Sequence, residues 1–236
     1  PFGTGVLVGP RQAFAEGDPF LAGGGAVDLV DLEEVVWTEP PEREEAGSPN
    51  VVGAVALHAA IDELEAIGWP AIAGHDRELA AALRSGLAGI PGVRLLGPGP
   101  EVETLPVATF TVEGMHHSLV AARLSAEHAI GVRHGCFCAH PYLVRLLGLD
   151  AADRARFRDD ILRHDRRAVP GAVRASAGLN TSGADIVRLL DAVAAVAAEP
   201  GAGGYEQDPA TGDFVPTGAA GEWFGPGGLA ASCARG

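Results

Sequence analysis

AVRASAGLNTSGADIVRLLDAVAAVAA, residues 172–198, changes its hydrophobic period halfway along. Ala172 to Ala175 read as a short apolar strand, and Gly183 to Ala198 as an amphipathic helix. Upstream the same alternation repeats. Val93–Leu96, Val107–Val112 and Ile130–Arg133 read as strands, His116–His128 as a helix and Tyr142–Leu147 as a short helix. Residues 150–167 read as a charged helix, with arginines at 154, 156, 158, 163, 166 and 167 set among Asp153, Asp159, Asp160 and Asp165. That mixture is a solvated, self-paired face. Helices alternating with at least three strands predict a compact α/β module.

Further out, the pattern is more varied. VVGAVALHAAIDELEAIG, starting at Val51, has helical spacing, with Ser48 as its expected N-cap, Pro49 as its first residue and Gly68 as its end. A second helix is expected over Ala71–Gly89, with Ile72, Leu79, Leu83 and Leu87 on its apolar side. Pro1–Gly9 reads as a buried strand, and the glycines before Asp28 together with Asp31–Glu45 as loops holding one short strand. From Glu199 onward the sequence is rich in Gly and Pro without period. Most of it is expected to be disordered, with Trp223 and Phe224 as local anchors.

At 236 residues and 47% hydrophobic content the chain can bury a real core. A net charge of −14 and the lack of a basic cluster with interleaved aromatics exclude nucleic acid as a partner. The longest apolar stretch, Ile186–Ala198, is broken by Arg188 and Asp191 and falls short of the roughly 20 residues that span a bilayer. No secretory signal is visible, and three cysteines make no disulfide framework, so a cytoplasmic setting is expected. All 17 basic residues are arginine, consistent with a codon-composition bias. Without lysine, no side chain can form a Schiff base with an aldehyde cofactor. Met115 is the only methionine, so the chain is expected to be a fragment, a processed product or half of a split protein.

His134, Cys136, Cys138 and His140 stand at every second position, and Cys and His are preferred zinc ligands. In an extended segment, alternate side chains lie about 6.5 Å apart, too far to converge on one tetrahedral ion with bonds of about 2.0–2.3 Å. A coiled loop could use two or three of them, and a buried inert pair of thiols is the other bland reading. His58, His75, His116 and His117 are read as surface or packing residues.

Four segments in order, PFGTG (1–5), EAGSPN (45–50), RHGCFCAHP (133–141) and VRASAGLN (173–180), resemble the cysteine desulfurase and selenocysteine lyase branch of the class V aminotransferases. The resemblance covers about residues 1–198. It implies a fold type I, pyridoxal-phosphate-dependent architecture: the end of the large domain over residues 1–66, a complete small α/β domain over 70–198, and a tail over 199–236. The family lysine would fall just upstream of Pro1, which leaves this piece inactive alone.

By the same resemblance Cys138 is the nucleophile that takes sulfur from cysteine as a persulfide, with Arg133, His134 and His140 as neighbours able to favour its thiolate. Arg174 would grip the substrate carboxylate and Arg133 is a second active-site arginine. Gly47 and Ser48 would contact the phosphate of pyridoxal phosphate in the neighbouring subunit, where the bare sequence favours a plain N-cap for Ser48. An amino-acid substrate, a homodimer and a sulfur-acceptor protein are implied partners; no metal is. Cys136 stands where many desulfurases carry histidine, and residues 149–168 lengthen the stretch between Cys138 and Arg174. A class V transaminase or lyase without a catalytic thiol therefore stays open, as does a non-enzymatic thiol or metal-binding module. A His-Lys pair before PFGTG would favour an enzyme.

Overall fold

The computed structural model describes residues 3–217, and the chain divides into two compact units, one up to Trp69 and one from Pro70.

In the first unit, residues 4–10 belong to no helix or strand, and Val6, Leu7 and Val8 are exposed. Over residues 3–9 the strand expected for Pro1–Gly9 is not formed, because a strand's N–H and C=O groups are satisfied by a neighbouring strand and none of the described residues offers one. A short helix α1 (Arg11–Ala15) follows. Strands β1 (Val27–Val30) and β2 (Val35–Trp37) then pair antiparallel, two strands where one was expected. The Asp31 carboxylate closes their turn by accepting from the backbone N–H of Glu33 at 2.9 Å and of Glu34 at 2.7 Å. Buried Arg43 donates to the carbonyls of Ala15, at 2.9 Å, and Gly17, which ties down the loop after α1.

Helix α2 (Val51–Ile67) is capped by Asn50 rather than Ser48. Asn50 Oδ1 accepts from the Gly53 N–H at 3.0 Å while its Nδ2 donates to Thr4 Oγ1 at 3.0 Å. The amide serves two partners from one position, which a serine two residues earlier cannot match. Gly68, at φ 91°, ends the helix in a region open to glycine. Apolar residues lie all round α2 and only Gly53 is buried; Val52 is 81% exposed.

The second unit is a four-stranded antiparallel sheet of order β3-β4-β6-β5, built from β3 (Val93–Leu96), β4 (Val107–Val112), β5 (Arg133–Gly135) and β6 (Ala172–Ser176). One face carries Ala108, Phe110, Val112, Val173 and Ala175 into the main core. Against it pack α3 (Trp69–Ala88) through Leu79, Leu83 and Leu87, α4 (His117–His128) through Val120 and Leu124, and α7 (Gly183–Ala198) through Ile186, Leu189, Val193 and Val196. A Cβ on Gly86 would stand 2.2 Å from a Leu190 methyl, so a glycine is what lets α3 and α7 approach. At the start of α7, Ser182 and Asp185 form a reciprocal capping box.

The opposite sheet face carries a smaller cluster of Leu96, Ala172 and Leu143 from α5 (His140–Leu147), with Cys136 and Phe137 beside it. Strand β5 begins at Arg133 rather than ending there. Ala129 turns out of α4 at φ 53°, and Ile130 and Val132 pack on the main core before pairing begins. Helix α6 (Ala151–Leu162) also stops short of the expected residue 167. His164 adopts φ 60°, and the Asp165 carboxylate accepts from the backbone and guanidinium of Arg167, which holds its pKa down at about 2. The expected self-pairing is present in Arg156–Asp153 and Arg163–Asp160.

Residues 199–217, expected to lie in a disordered tail, instead form a hairpin of β7 (Tyr205–Gln207) and β8 (Phe214–Pro216). Trp223 and Phe224 lie outside the described residues. The hairpin docks on α4: the Phe214 N–H donates to Ser118 Oγ at 2.7 Å and Tyr205 Oη to Glu127 Oε1 at 3.0 Å. Ser118 is 2% exposed. Ser118→Ala strands the Phe214 N–H and should cost about 1–2 kcal/mol in urea denaturation, with faster amide exchange at Phe214. Unchanged stability and exchange would show that the hairpin is held elsewhere. Among the described residues no helix is long and apolar enough to cross a membrane.

Candidate functional site

Strand β6 alternates, sending Val173 and Ala175 into the main core and leaving Arg174 to the other face. There the Arg174 guanidinium carbon sits 5.1 Å from the centroid of the Phe137 ring, a cation–π contact. Its Nε is buried without a hydrogen-bond partner. Arg133 on edge strand β5 is its direct cross-strand partner. Like charges placed opposite each other destabilise a sheet, and neither arginine has a carboxylate partner among the described residues. The pair therefore leaves a local excess of positive charge suited to an anion.

Between β5 and α5 the chain makes a four-residue turn, Cys136-Phe137-Cys138-Ala139. The Ala139 N–H donates to the Cys136 carbonyl at 2.9 Å, and both central residues have positive φ, 54° at Phe137 and 57° at Cys138. Two left-handed residues in succession mark a type I′ turn, normally built from Asn and Gly. Phenylalanine and cysteine carry a steric cost of roughly 1–2 kcal/mol each there. Phe137 is held by its stack under Arg174 and its packing beside Leu143. The turn presents Cys138 exposed and Cys136 half-buried, both as free thiols.

Cys136 and Cys138 both line one pocket of about 480 Å³, walled also by Arg133, His134, Phe157 of α6 and Asp213 of the β7–β8 turn. Its polar wall is a chain of side chains. His117 Nε2 lies 3.1 Å from the Val169 carbonyl, His117 Nδ1 3.3 Å from His134 Nδ1, and His134 Nε2 3.6 Å from Asp213 Oδ1. A carbonyl only accepts, so His117 carries its proton on Nε2 and accepts at Nδ1 from His134. That leaves His134 Nε2 facing a carboxylate. Burial, with the neighbouring His116 adding to it, pushes the His117 pKa down to about 3, so its ring is neutral at physiological pH. His116 is lowered for the same first reason; its Nδ1 accepts from the Ser118 N–H at the start of α4.

Of the residues singled out in the sequence, Cys138, Arg133 and Arg174 come together around one turn. His134 and His140 share the pocket wall with Cys138. Gly47 and Ser48 belong to the first unit. Ser48 is exposed and lies two residues before the helix cap, and the Gly47 N–H is already donated to the Gly24 carbonyl at 2.8 Å. His116 and His117, read as surface or packing residues, both line the pocket. The signal for His117 was absent locally, because its partners are His134 and Val169, each more than a dozen residues away. Among the described residues no three or more His, Cys, Asp or Glu side chains converge as a metal site.

The family model for aminotransferase class-V matches residues 1–189. A probable cysteine desulfurase 2 of Mycobacterium leprae is 38% identical over 157 residues, which is 66% of this chain and 37% of that protein. A probable cysteine desulfurase of Xylella fastidiosa is 37% identical over 155 residues, 66% of this chain and 36% of its own length. The crystal structure of the cysteine desulfurase CsdA from Escherichia coli superposes with a TM-score of 0.66 at 30% identity, covering 82% of this chain and 42% of that one. The cysteine desulfurase of Thermococcus onnurineus NA1 gives 0.63 at 33% identity, over 76% and 39%. The chain thus spans less than half the length of these relatives. With a matching mixed α/β fold and the family model running through β6 into α7, the chain belongs to the class V aminotransferase family.

Proposed function

We propose that this chain is the C-terminal portion of a fold type I cysteine desulfurase, in which Cys138 accepts sulfur from an amino-acid substrate held by Arg174 and Arg133. The observation that carries the reading is the exposed Cys138 at a left-handed turn whose other central residue, Phe137, lies under the Arg174 guanidinium. Arg174 binds the substrate carboxylate through its two-pronged guanidinium, with Arg133 across the strand pair adding charge. This orients the substrate sulfur toward Cys138 Sγ, which takes it as a persulfide. A sulfur-acceptor protein then collects it from the exposed turn.

Pyridoxal phosphate, when bound, supplies the electron sink for breaking the carbon–sulfur bond. The residues here fit it in part. Ser48 is exposed and offers a hydroxyl for the phosphate, whereas the Gly47 N–H is engaged and no lysine is present for a covalent link. The covalent anchor is therefore supplied by a part of the protein outside these residues or by another chain. The exposed apolar surface of α2 supports burial against further protein, as in a homodimer, and the free thiols support a cytoplasmic setting.

In the complete enzyme, Arg174→Ala should weaken cysteine binding by about 1.5–3 kcal/mol, read as a raised KM, with Arg174→Lys restoring only part. An unchanged KM and rate would remove Arg174 from the site. A complete enzyme that turns over amino acids without releasing sulfur would favour the transaminase or lyase reading. The chain alone, mixed with pyridoxal phosphate and reduced with borohydride, should gain no mass on any side chain; a modified internal residue would refute that.

A further inference from the structure

The second thiol of the turn is unused by the reaction above, yet the fold places it on the same pocket wall as the first. We infer that Cys136 and Cys138 form a vicinal thiol pair in which Cys136 resolves a persulfide on Cys138, discharging hydrosulfide without an acceptor protein. The inference rests, for its persulfide, on the proposed role of Cys138.

The turn supplies the geometry. Its closing hydrogen bond, Ala139 N–H to the Cys136 carbonyl at 2.9 Å, bends the chain tightly across Phe137 and Cys138. In a bend this sharp the first and third Cα atoms come within roughly 5–6 Å, inside the 4.4–6.8 Å that a disulfide requires. Both residues line one cavity, which gives the two thiols a common space in which to meet. Their exposure differs in the useful sense. Cys138 is exposed and meets substrate, while half-buried Cys136 sits beside Leu96 and Leu143, behind the tip and away from bulk thiols. A resolving thiol held this close acts at high effective concentration, ahead of any thiol arriving from solution.

The step balances. The Cys136 thiolate, having lost its proton to solvent, attacks Cys138 Sγ, the inner sulfur of the persulfide. A bond forms between the two cysteine sulfurs, and the bond from Cys138 Sγ to the outer sulfur breaks. The outer sulfur leaves with the electron pair as hydrosulfide. It is reduced from the sulfane level to sulfide while the two cysteine sulfurs are oxidised to a disulfide. An exogenous dithiol reduces that disulfide and becomes oxidised itself, returning both thiols.

The test uses the full chain with Cys233→Ser, so that the turn holds the only thiols. Treated with diamide, the tryptic peptide spanning residues 134–145 should lose two hydrogen atoms and resist iodoacetamide until dithiothreitol is added. Two thiols that remain alkylatable, or that link only between chains, overturn the pair. Loaded with inorganic polysulfide, this chain should release sulfide at least tenfold faster than the same chain with Cys136→Ser, which should retain the extra sulfur on Cys138. Equal release from both overturns the resolving step. If the disulfide forms with diamide but Cys138 never takes up sulfane sulfur, the persulfide role of Cys138 falls and the discharge step falls with it. Failure of the diamide arm alone leaves the desulfurase reading intact, so the two failures are distinguishable.

Discussion

In the complete enzyme, Cys138→Ser should lower sulfur release from cysteine by roughly 10³-fold or more while leaving the KM for cysteine nearly unchanged. Serine occupies almost the same volume and enters the left-handed region no worse than cysteine, so the turn and the Phe137–Arg174 stack should survive. What is lost is the polarizable nucleophile. A hydroxyl is a far weaker attacking group at neutral pH and cannot hold sulfur as a persulfide. In the function proposed above, binding is assigned to Arg174 and Arg133, which the substitution does not touch. Sulfide formation and substrate saturation, measured together, separate these effects. Full sulfur release in Cys138→Ser with loss in Cys136→Ser would move the nucleophile by two residues. Full release in both would leave the turn without a catalytic thiol.

The second large effect is on stability and follows from His117. Its folded pKa of about 3 lies below the ordinary value of 6.5, because burial disfavours the charged ring and His116 adds repulsion. In the unfolded chain the ring takes up a proton as pH falls through 6.5, whereas in the folded chain it stays neutral until about 3. Within that window the unfolded state binds more protons, so stability is complete above pH 6.5 and declines as pH falls toward 3. Between pH 7 and pH 4 the contribution is about 3 kcal/mol. His117→Gln keeps a donor for the Val169 carbonyl and cannot titrate, so its stability should fall by that much less over the same interval. Groups that face the ring, His116, His134 and beyond it Asp213, are present in both proteins, so the difference reports His117 together with its coupling to them. Parallel pH profiles for the two proteins would mean that His117 takes up its proton in the fold at the same pH as in the unfolded chain.

Much of the second unit was legible because local chemistry and tertiary demand agree there. The α7 boundaries match the expected Gly183–Ala198, where a capping box and a long apolar period point the same way, and β3 and β4 coincide with their apolar runs. The misreadings fall where a remote group decides. Ser48-Pro49 is a sound helix start locally, but Thr4 gives Asn50 a second partner and moves the cap. Ile130 and Val132 have strand propensity, yet the core claims them and the ladder begins at Arg133. The Gly/Pro-rich composition after Glu199 hides a hairpin held by Ser118 and Glu127. In the candidate site, Cys138, Arg133 and Arg174 were identifiable by family motif. The cross-strand pairing of the arginines, the left-handed turn and the His117–His134–Asp213 chain depend on register and on contacts distant in sequence.

The hairpin that carries Asp213 also sets an order of events during synthesis. Asp213 is made roughly 75 residues after Cys138, and ribosomes add about 5–20 residues per second, so the two are separated by roughly 4–15 s. For that interval the nascent chain holds its Cys136–Ala139 turn without the carboxylate that faces His134 and without the β7–β8 wall of the pocket. Completion of the site is thereby tied to translation of its last wall.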